Sequence, residues 1–360
     1  MTRYLLAGGG TAGHVNPLLA VADRIVDREP DAVIFVLGTA EGLESRLVPA
    51  RGFELLTVPR LPFPRRPNTA ALRFPRRFGT IVTRIRSLLR EHEIDVLVGF
   101  GGYVSAPAYL AAKREKVAIA VHEANAKPGM ANRLGARLTE FVGVAFRSAR
   151  LPHARFVGMP LRREIESLDR AASRRDALAY FELDPRKLTL LVTGGSQGAR
   201  SINDTVFSAA ANIIGAGWQI LHVTGEKSDI VSSDLADYRL LPYCDRMDLA
   251  IAAADLAVAR AGAATVSEFS ALGVPAVYVP LALGNGEQRL NARGVVAAGG
   301  AVLVDNAKFT PEWVRNELVP LLQNRALVAD MAARARTVGV LDGSDRMVDL
   351  VTDAARAPVN

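Results

Sequence analysis

Gly8, Gly10 and Gly13 stand in GxGxxG spacing directly behind a short apolar run, and His14 follows at once. A turn of this kind aims backbone N–H groups and the positive end of the next helix at a phosphate or a developing negative charge. A histidine beside it titrates near neutral pH and suits a general base. Two further glycine turns occur at 99–102, running into Tyr103, and at 194–198, running into Ala199 and Arg200. His122 and Glu123 close another apolar run and offer a second acid–base pair or partners that orient the first. Each feature also has a purely structural reading. A glycine turn can serve only a tight strand–helix connection with positive φ. His14 can be a hydrogen-bonding residue at a helix start, and His122 a core histidine.

The elements that would hold these residues form a repeating pattern. Short apolar runs at 4–7, 33–37, 96–98, 117–121 and 142–145, and again at 188–192, 219–223, 256–258, 276–279 and 302–304, alternate with helical patterns. Fully apolar short strands separated by helices predict parallel sheets covered on both faces. After the first glycine turn, Leu18, Val21, Ala22 and Ile25 fall at i, i+3, i+4 and i+7, an apolar helical stripe with Pro17 near its start. Each half opens with strand, glycine turn and helix, YLLAGGGTAGHVNP and LLVTGGSQGARSIN, a weak internal duplication. The fold class expected is α/β, with two Rossmann-like doubly wound parallel-sheet domains. The predicted division is 1–160, 161–340 and a C-terminal helix within 341–360 able to pack back on the first domain. Three glycine turns at the carboxyl ends of parallel strands predict a ligand cleft there.

Composition narrows the classes. The chain of 360 residues is 49% hydrophobic, enough for sizeable cores, and its single cysteine, Cys244, excludes an internal disulfide framework. The opening apolar run is too short for a signal peptide, and no stretch reaches the ~18 apolar residues of a membrane span. A soluble cytoplasmic protein with peripheral membrane contact is expected. The net charge of +7 is unevenly spread: the first 160 residues carry 23 Lys and Arg against 13 Asp and Glu, and the rest 21 against 24. The segment 60–90 has nine arginines and no acidic residue, with Leu61, Phe63, Leu72, Phe74 and Phe78 interleaved. Such a surface suits anionic headgroups with shallow apolar insertion. The alternative is an ordinary solvated loop and helix; nucleic acid is disfavoured because no recognition motif accompanies the arginines. A dinucleotide fold would also carry GxGxxG, but it expects an acidic residue ~20 residues on, at the end of the second strand. Here that strand ends Leu37-Gly38-Thr39.

Seven blocks occur in order: GGGTAGHVNP at 8–17, GFGGYVSAP at 99–107, HEANAKPG at 122–129, VGMPLR at 157–162, GGSQGARSIN at 194–203, RAGAATVSEFSALGVPAVYVPL at 260–281 and EQRLNA at 287–292. Together they resemble the MurG family of glycosyltransferases, which add N-acetylglucosamine to the lipid-linked muramyl-pentapeptide of peptidoglycan synthesis. The resemblance implies a GT-B fold with an interdomain active site. It also implies a UDP-N-acetylglucosamine donor, a lipid I acceptor, inversion at the anomeric centre, and neither cofactor nor metal. No DxD motif lies between strands of this chain.

Carried over by position, the resemblance assigns Glu268 to the donor ribose hydroxyls, a role a carboxylate fits by accepting from a vicinal diol. It places Ala263, Ala264, Thr265, Val266 and Ser267 along the nucleotide and diphosphate. Ser196 joins the diphosphate loop, and Arg162 lies near the phosphates. Cys244 falls where a backbone group binds uracil. Gln288 and Asn291 match sugar contacts, with Asn125 and Thr11, Ala12 and Gly13 facing the sugar from the first domain. His14 is the leading base, with His122 and Glu123 its competitors or partners. Leu72, Phe74, Arg76, Arg77 and Phe78 fall on the basic, apolar membrane face. Two positions depart from the family: Ala12 replaces a glycine, tolerable unless its φ is positive, and GNGEQ leaves the role of Glu287 open. The competing functions are a UDP-N-acetylglucosamine 2-epimerase, a lipid glycosyltransferase acting on diacylglycerol, and an oxidoreductase.

Overall fold

The computed structural model describes residues 1–64, 69–195, 198–230, 232–281 and 286–358, with the backbone alone at 69–71. The chain divides into two compact units, Met1–Arg163 with Asp342–Asn360, and Glu164–Leu341.

The first unit holds seven strands: β1 (Arg3–Gly8), β2 (Val33–Gly38), β3 (Glu54–Thr57), β4 (Val96–Gly101), β5 (Ala118–Glu123), β6 (Phe141–Val144) and β7 (Ala154–Phe156). They are all parallel, in the order β3-β2-β1-β4-β5-β6-β7. The second unit holds six: β8 (Leu188–Thr193), β9 (Trp218–Val223), β10 (Tyr238–Leu241), β11 (Leu256–Ala259), β12 (Ala276–Tyr278) and β13 (Ala301–Leu303). Their order is β10-β9-β8-β11-β12-β13, again all parallel. Each sheet reverses its strand order once, between β1 and β4 and between β8 and β11. Ligands of open α/β sheets bind at such reversals, beyond the carboxyl ends of the strands.

Side-chain pattern explains both sheets. Every residue of β4, β5 and β9 is buried, as continuous apolar runs require when helices cover both faces. In the first unit one face packs under the helix Thr69–Glu91 through Ile81, Val82, Ile85, Leu88 and Leu89. The other is covered by the helix Ala12–Arg28, whose Leu18, Val21, Ala22 and Ile25 are all buried, and by the helix Gly343–Arg356. That last helix brings Met347, Val348, Leu350, Val351 and Ala354 into the core. Arg28 pins it with ion pairs to Asp345 at 2.5 Å and Asp349 at 2.6 Å.

Candidate active site

In the first unit, β1 delivers the chain into Gly9 and Gly10 at the β1–β4 reversal. Thr11, extended and exposed, is the N-cap of the helix Ala12–Arg28. Ala12 opens that helix with ordinary negative φ, so the extra methyl is carried without backbone strain. Gly13 is exposed and His14 half-buried on the first turn. The His14 Nδ1 lies 3.1 Å from the Gly9 carbonyl and 3.3 Å from the Thr11 hydroxyl. A carbonyl can only accept, so Nδ1 carries the hydrogen of this contact, and in the neutral ring the lone pair is then on Nε2. Gly101, at the end of β4, flanks this nitrogen: a Cβ placed there would come within 3.1 Å of Nε2.

Glu44 was not singled out by sequence. It opens the short helix Glu44–Ala50 and is fully buried beneath the first glycine turn. Its carboxylate accepts from Gly10 N–H at 3.0 Å, Thr39 N–H at 2.9 Å and the Thr39 hydroxyl at 2.9 Å. Burial alone would push its carboxyl up. The N–H groups of Gly10, Glu44 itself and Thr39, with the Thr39 hydroxyl, outweigh that and hold it below the usual carboxylate value. The anion cradle read from GxGxxG is thus partly filled by the chain's own carboxylate.

His122 and Glu123 end β5 and are both buried. His122 donates from Nε2 to the Gly158 carbonyl at 3.1 Å, and burial lowers its pKa to about 4, so it is neutral and shielded from solvent. Glu123 accepts from Asn125 N–H at 2.8 Å, Gly129 N–H at 2.9 Å and Asn132 Nδ2 at 3.0 Å. Asn132, also missed from sequence, accepts from the Tyr109 hydroxyl at 2.8 Å. These bonds fold the 124–129 loop and hold Asn125 half-buried at its start. The geometry makes Glu123 the organiser of the 124–129 loop, ties His122 to Gly158, and leaves His14 as the half-buried imidazole at the glycine turn. Arg162 is half-buried near the end of the unit's first segment.

In the second unit the turns again gather beyond strand ends. Gly195 N–H meets the Thr193 hydroxyl at 3.3 Å, and Gly198 N–H meets the Gly195 carbonyl at 2.9 Å. Ser196 lies outside the described residues. Behind β11, Gly262 caps the helix Ala263–Leu272, and a glycine cap has no side chain to occupy the first-turn N–H groups. Ala264, Thr265, Ser267 and Glu268 are partly accessible on this helix. Ala263 and Val266 are buried at 9% and 2% exposure, so their side chains belong to the core and only their backbone can meet a ligand. Cys244 is half-buried in the turn after β10. Gln288 accepts from Leu281 N–H at 2.8 Å, leaving its amide nitrogen for a ligand. Asn291 is buried and donates to the Ala261 carbonyl at 3.3 Å, tying its helix to the turn before Ala263.

Arg260, inside a quoted block but given no role, donates to the Val279 and Pro280 carbonyls, Asn306 and Ser201, joining the turns after β8, β11 and β12. His222 is buried between Tyr238, at 2.7 Å, and Asn203, at 3.1 Å, and burial lowers its pKa to about 3.

The arginine-rich segment falls on the helix Thr69–Glu91 and the stretch before it; Arg65 and Arg66 lie outside the described residues. Leu72 is 83% exposed and Phe63 55% exposed. Phe63, Phe74 and Phe78 form an aromatic row with ring centroids 5.2 and 5.6 Å apart, and Arg73, Arg76 and Arg77 are exposed along it. Phe78 also packs against the core, so it anchors the row.

Residues 4–144 match the glycosyltransferase family 28 N-terminal domain and residues 189–347 its C-terminal domain. The chain is 64% identical over 351 residues, 98% of each sequence, to the UDP-N-acetylglucosamine--N-acetylmuramyl-(pentapeptide) pyrophosphoryl-undecaprenol N-acetylglucosamine transferase of Leifsonia xyli subsp. xyli. The chain belongs to glycosyltransferase family 28. A Streptomyces coelicolor family 28 relative bearing the same enzyme name is 48% identical over 359 residues, 99% of each sequence. A crystal structure of Acinetobacter baumannii MurG superimposes with a TM-score of 0.80 at 28% identity, covering 98% of this chain and 100% of that one. The family 28 fold extends further: a Neisseria meningitidis UDP-GlcNAc 2-epimerase shares it at a TM-score of 0.69 and 14% identity, over 98% of this chain and all of that one.

Proposed function

We propose that this chain transfers N-acetylglucosamine from UDP-N-acetylglucosamine to the muramyl-pentapeptide pyrophosphoryl-undecaprenol acceptor, lipid I, forming lipid II with inversion. The observation that carries the reading is His14, held through Nδ1 on the first glycine turn with Nε2 beside Gly101, in a chain so close to the named transferases. The acceptor hydroxyl gives its proton to Nε2 as its oxygen bonds to the anomeric carbon, and the bond from that carbon to the UDP oxygen breaks. The second unit grips the donor. Glu268 accepts from the ribose hydroxyls, and the first-turn N–H groups of the helix Ala263–Leu272 meet the diphosphate, where the helix end stabilises the departing charge. His122, Glu123 and Asn132 act by shaping the loop that carries Asn125.

No helix of the described residues is long and apolar enough to cross a membrane. We assign peripheral attachment, at the cytoplasmic face, to Leu72, Phe74, Phe78, Arg76 and Arg77. Reversing the charge of Arg73, Arg76 and Arg77 should release the protein from anionic liposomes; unchanged sedimentation would remove this segment as the anchor. The central test is an assay of the full chain with a lipid I analogue and several UDP-sugars, following label into lipid. Transfer should require UDP-N-acetylglucosamine and the acceptor together. Formation of a new UDP-sugar without acceptor would instead favour epimerase chemistry.

A further inference from the structure

We propose that Glu44 is a positioning residue for turnover that acts on His14 through the Gly9–Gly10 peptide group. The proposal rests on the reading of His14 as the base. The Gly9 carbonyl and the Gly10 N–H are the two ends of one planar amide. The N–H donates to Glu44 Oε2 at 3.0 Å, while the carbonyl accepts from His14 Nδ1 at 3.1 Å. Carboxylate, amide and imidazole therefore stand in line. A negative charge at the N–H end draws amide electron density towards the carbonyl oxygen, and hydrogen bonds in such a chain reinforce one another. A stronger acceptor at Nδ1–H keeps the ring in one tautomer and one orientation. In a Ser-His-Asp triad the carboxylate holds the imidazole directly; here one peptide group stands between them.

The surroundings are built for this carboxylate. A Cβ on Gly9 would lie 2.5 Å from Glu44 Oε1, and one on Gly42 only 2.1 Å from Oε2. A Cβ on Gly38 would meet Glu44 Cγ at 2.4 Å. Glycines from three places in the chain thus make room for one side chain. On the other side, a Cβ on Gly102 would lie 2.6 Å from the Gly9 oxygen, so the turn after β4 closes on the same carbonyl that holds His14. The recorded donors to Glu44 are neutral N–H and O–H groups. A buried carboxylate in such company is costlier than a neutral side chain of the same size. Its charge is what the relay uses. No bond forms or breaks at Glu44, and the acceptor's proton ends on Nε2.

The test uses full-length Glu44→Gln, Glu44→Asp and Glu44→Ala, each checked for cooperative melting. In Glu44→Gln and Glu44→Ala, kcat should fall roughly ten- to hundred-fold, the range for groups that act through a catalytic residue's partner. KM for UDP-N-acetylglucosamine should stay within about two-fold, because uniform binding is untouched. Added formate should restore part of the Glu44→Ala rate by refilling the cradle. Side-chain ¹⁵N NMR, which needs no turnover, should show His14 as the Nδ1–H tautomer in the wild type and as a mixture in Glu44→Gln. Wild-type kcat in a folded Glu44→Gln, or an unchanged His14 tautomer in that variant, would overturn the proposal. If Glu44→Ala does not fold, Glu44→Gln and the tautomer measurement still decide. A wild type that shows the tautomer but transfers no sugar would defeat the functional reading and not the relay.

Discussion

The two units open with the same strand, glycine turn and helix, yet the backbone donors of the two turns meet different partners. In the first unit the Gly10 N–H is held by Glu44, a residue 34 positions further on. In the second unit the Gly195 N–H donates, among the described residues, to the hydroxyl of Thr193 on its own strand, at 3.3 Å. The first turn carries its own anion and so orients a histidine; the second is held by a weak neutral contact that a phosphate could displace. A glycine-rich turn is therefore a scaffold whose use is decided by what reaches it from elsewhere. Two turns of the same sequence pattern thus differ in what their backbone N–H groups hold.

The largest effect that would break this contrast is loss of the base. His14→Ala should lower kcat by about 10²- to 10⁴-fold, with UDP affinity by calorimetry unchanged. A parallel loss of UDP affinity would put the first turn in the donor site. The converse variant, Glu268→Ala, removes hydrogen bonds to a charged group worth about 1.5–3 kcal/mol each. The UDP-N-acetylglucosamine KM should rise at least ten-fold while the acceptor KM holds in steady-state assays; an acceptor-side defect would reverse the assignment.

A third test compares the interiors, because each unit buries one neutral histidine. The folded pKa values of His122 and His222, about 4 and about 3, lie below the unfolded value of 6.5. Below pH 6.5 the unfolded chain takes protons that the folded chain refuses, so stability falls as pH drops towards these folded values. At pH 5 each histidine should have cost about 2 kcal/mol relative to neutral pH, read from denaturant melts of the wild type and of histidine-to-glutamine variants. A flat profile would show the histidines to be less sequestered. The smallest effect expected is from Ala12→Gly. Ala12 already has helical geometry, so added chain entropy should cost about 1 kcal/mol or less and leave kcat within about two-fold. A large gain in rate would mean that the extra methyl obstructs the turn.

Much of this arrangement was legible in sequence, and what was not has a common cause. The interior strands announced themselves as apolar runs. The strands missed were β3, β7 and β10, each at a sheet edge and paired on one side only. Their burial alternates or is slight, as in Glu54–Thr57 and Ala154–Phe156, so no continuous apolar signal marks them. The block order pointed to Glu268, Gln288 and Asn291, but only the helix face shows that Val266 turns inward. Glu44 was hidden for a different reason. Spacing reveals neighbours along a helix or strand, whereas Glu44 meets Gly10 only because β1 and β2 lie side by side. The end of β2 at Thr39 carries no acidic residue, and the carboxylate that bonds to Thr39 stands five positions further on.

The first unit is built from two segments of the chain, with the whole of the second unit inserted between them. The helix Ala12–Arg28 covers part of one sheet face from within the first segment, but Met347, Val348, Leu350, Val351 and Ala354 reach that same face only after the whole of the second unit has been made. Packing of the half that carries His14 is completed by a segment that follows the other half in the chain, so the two halves do not finish folding in chain order.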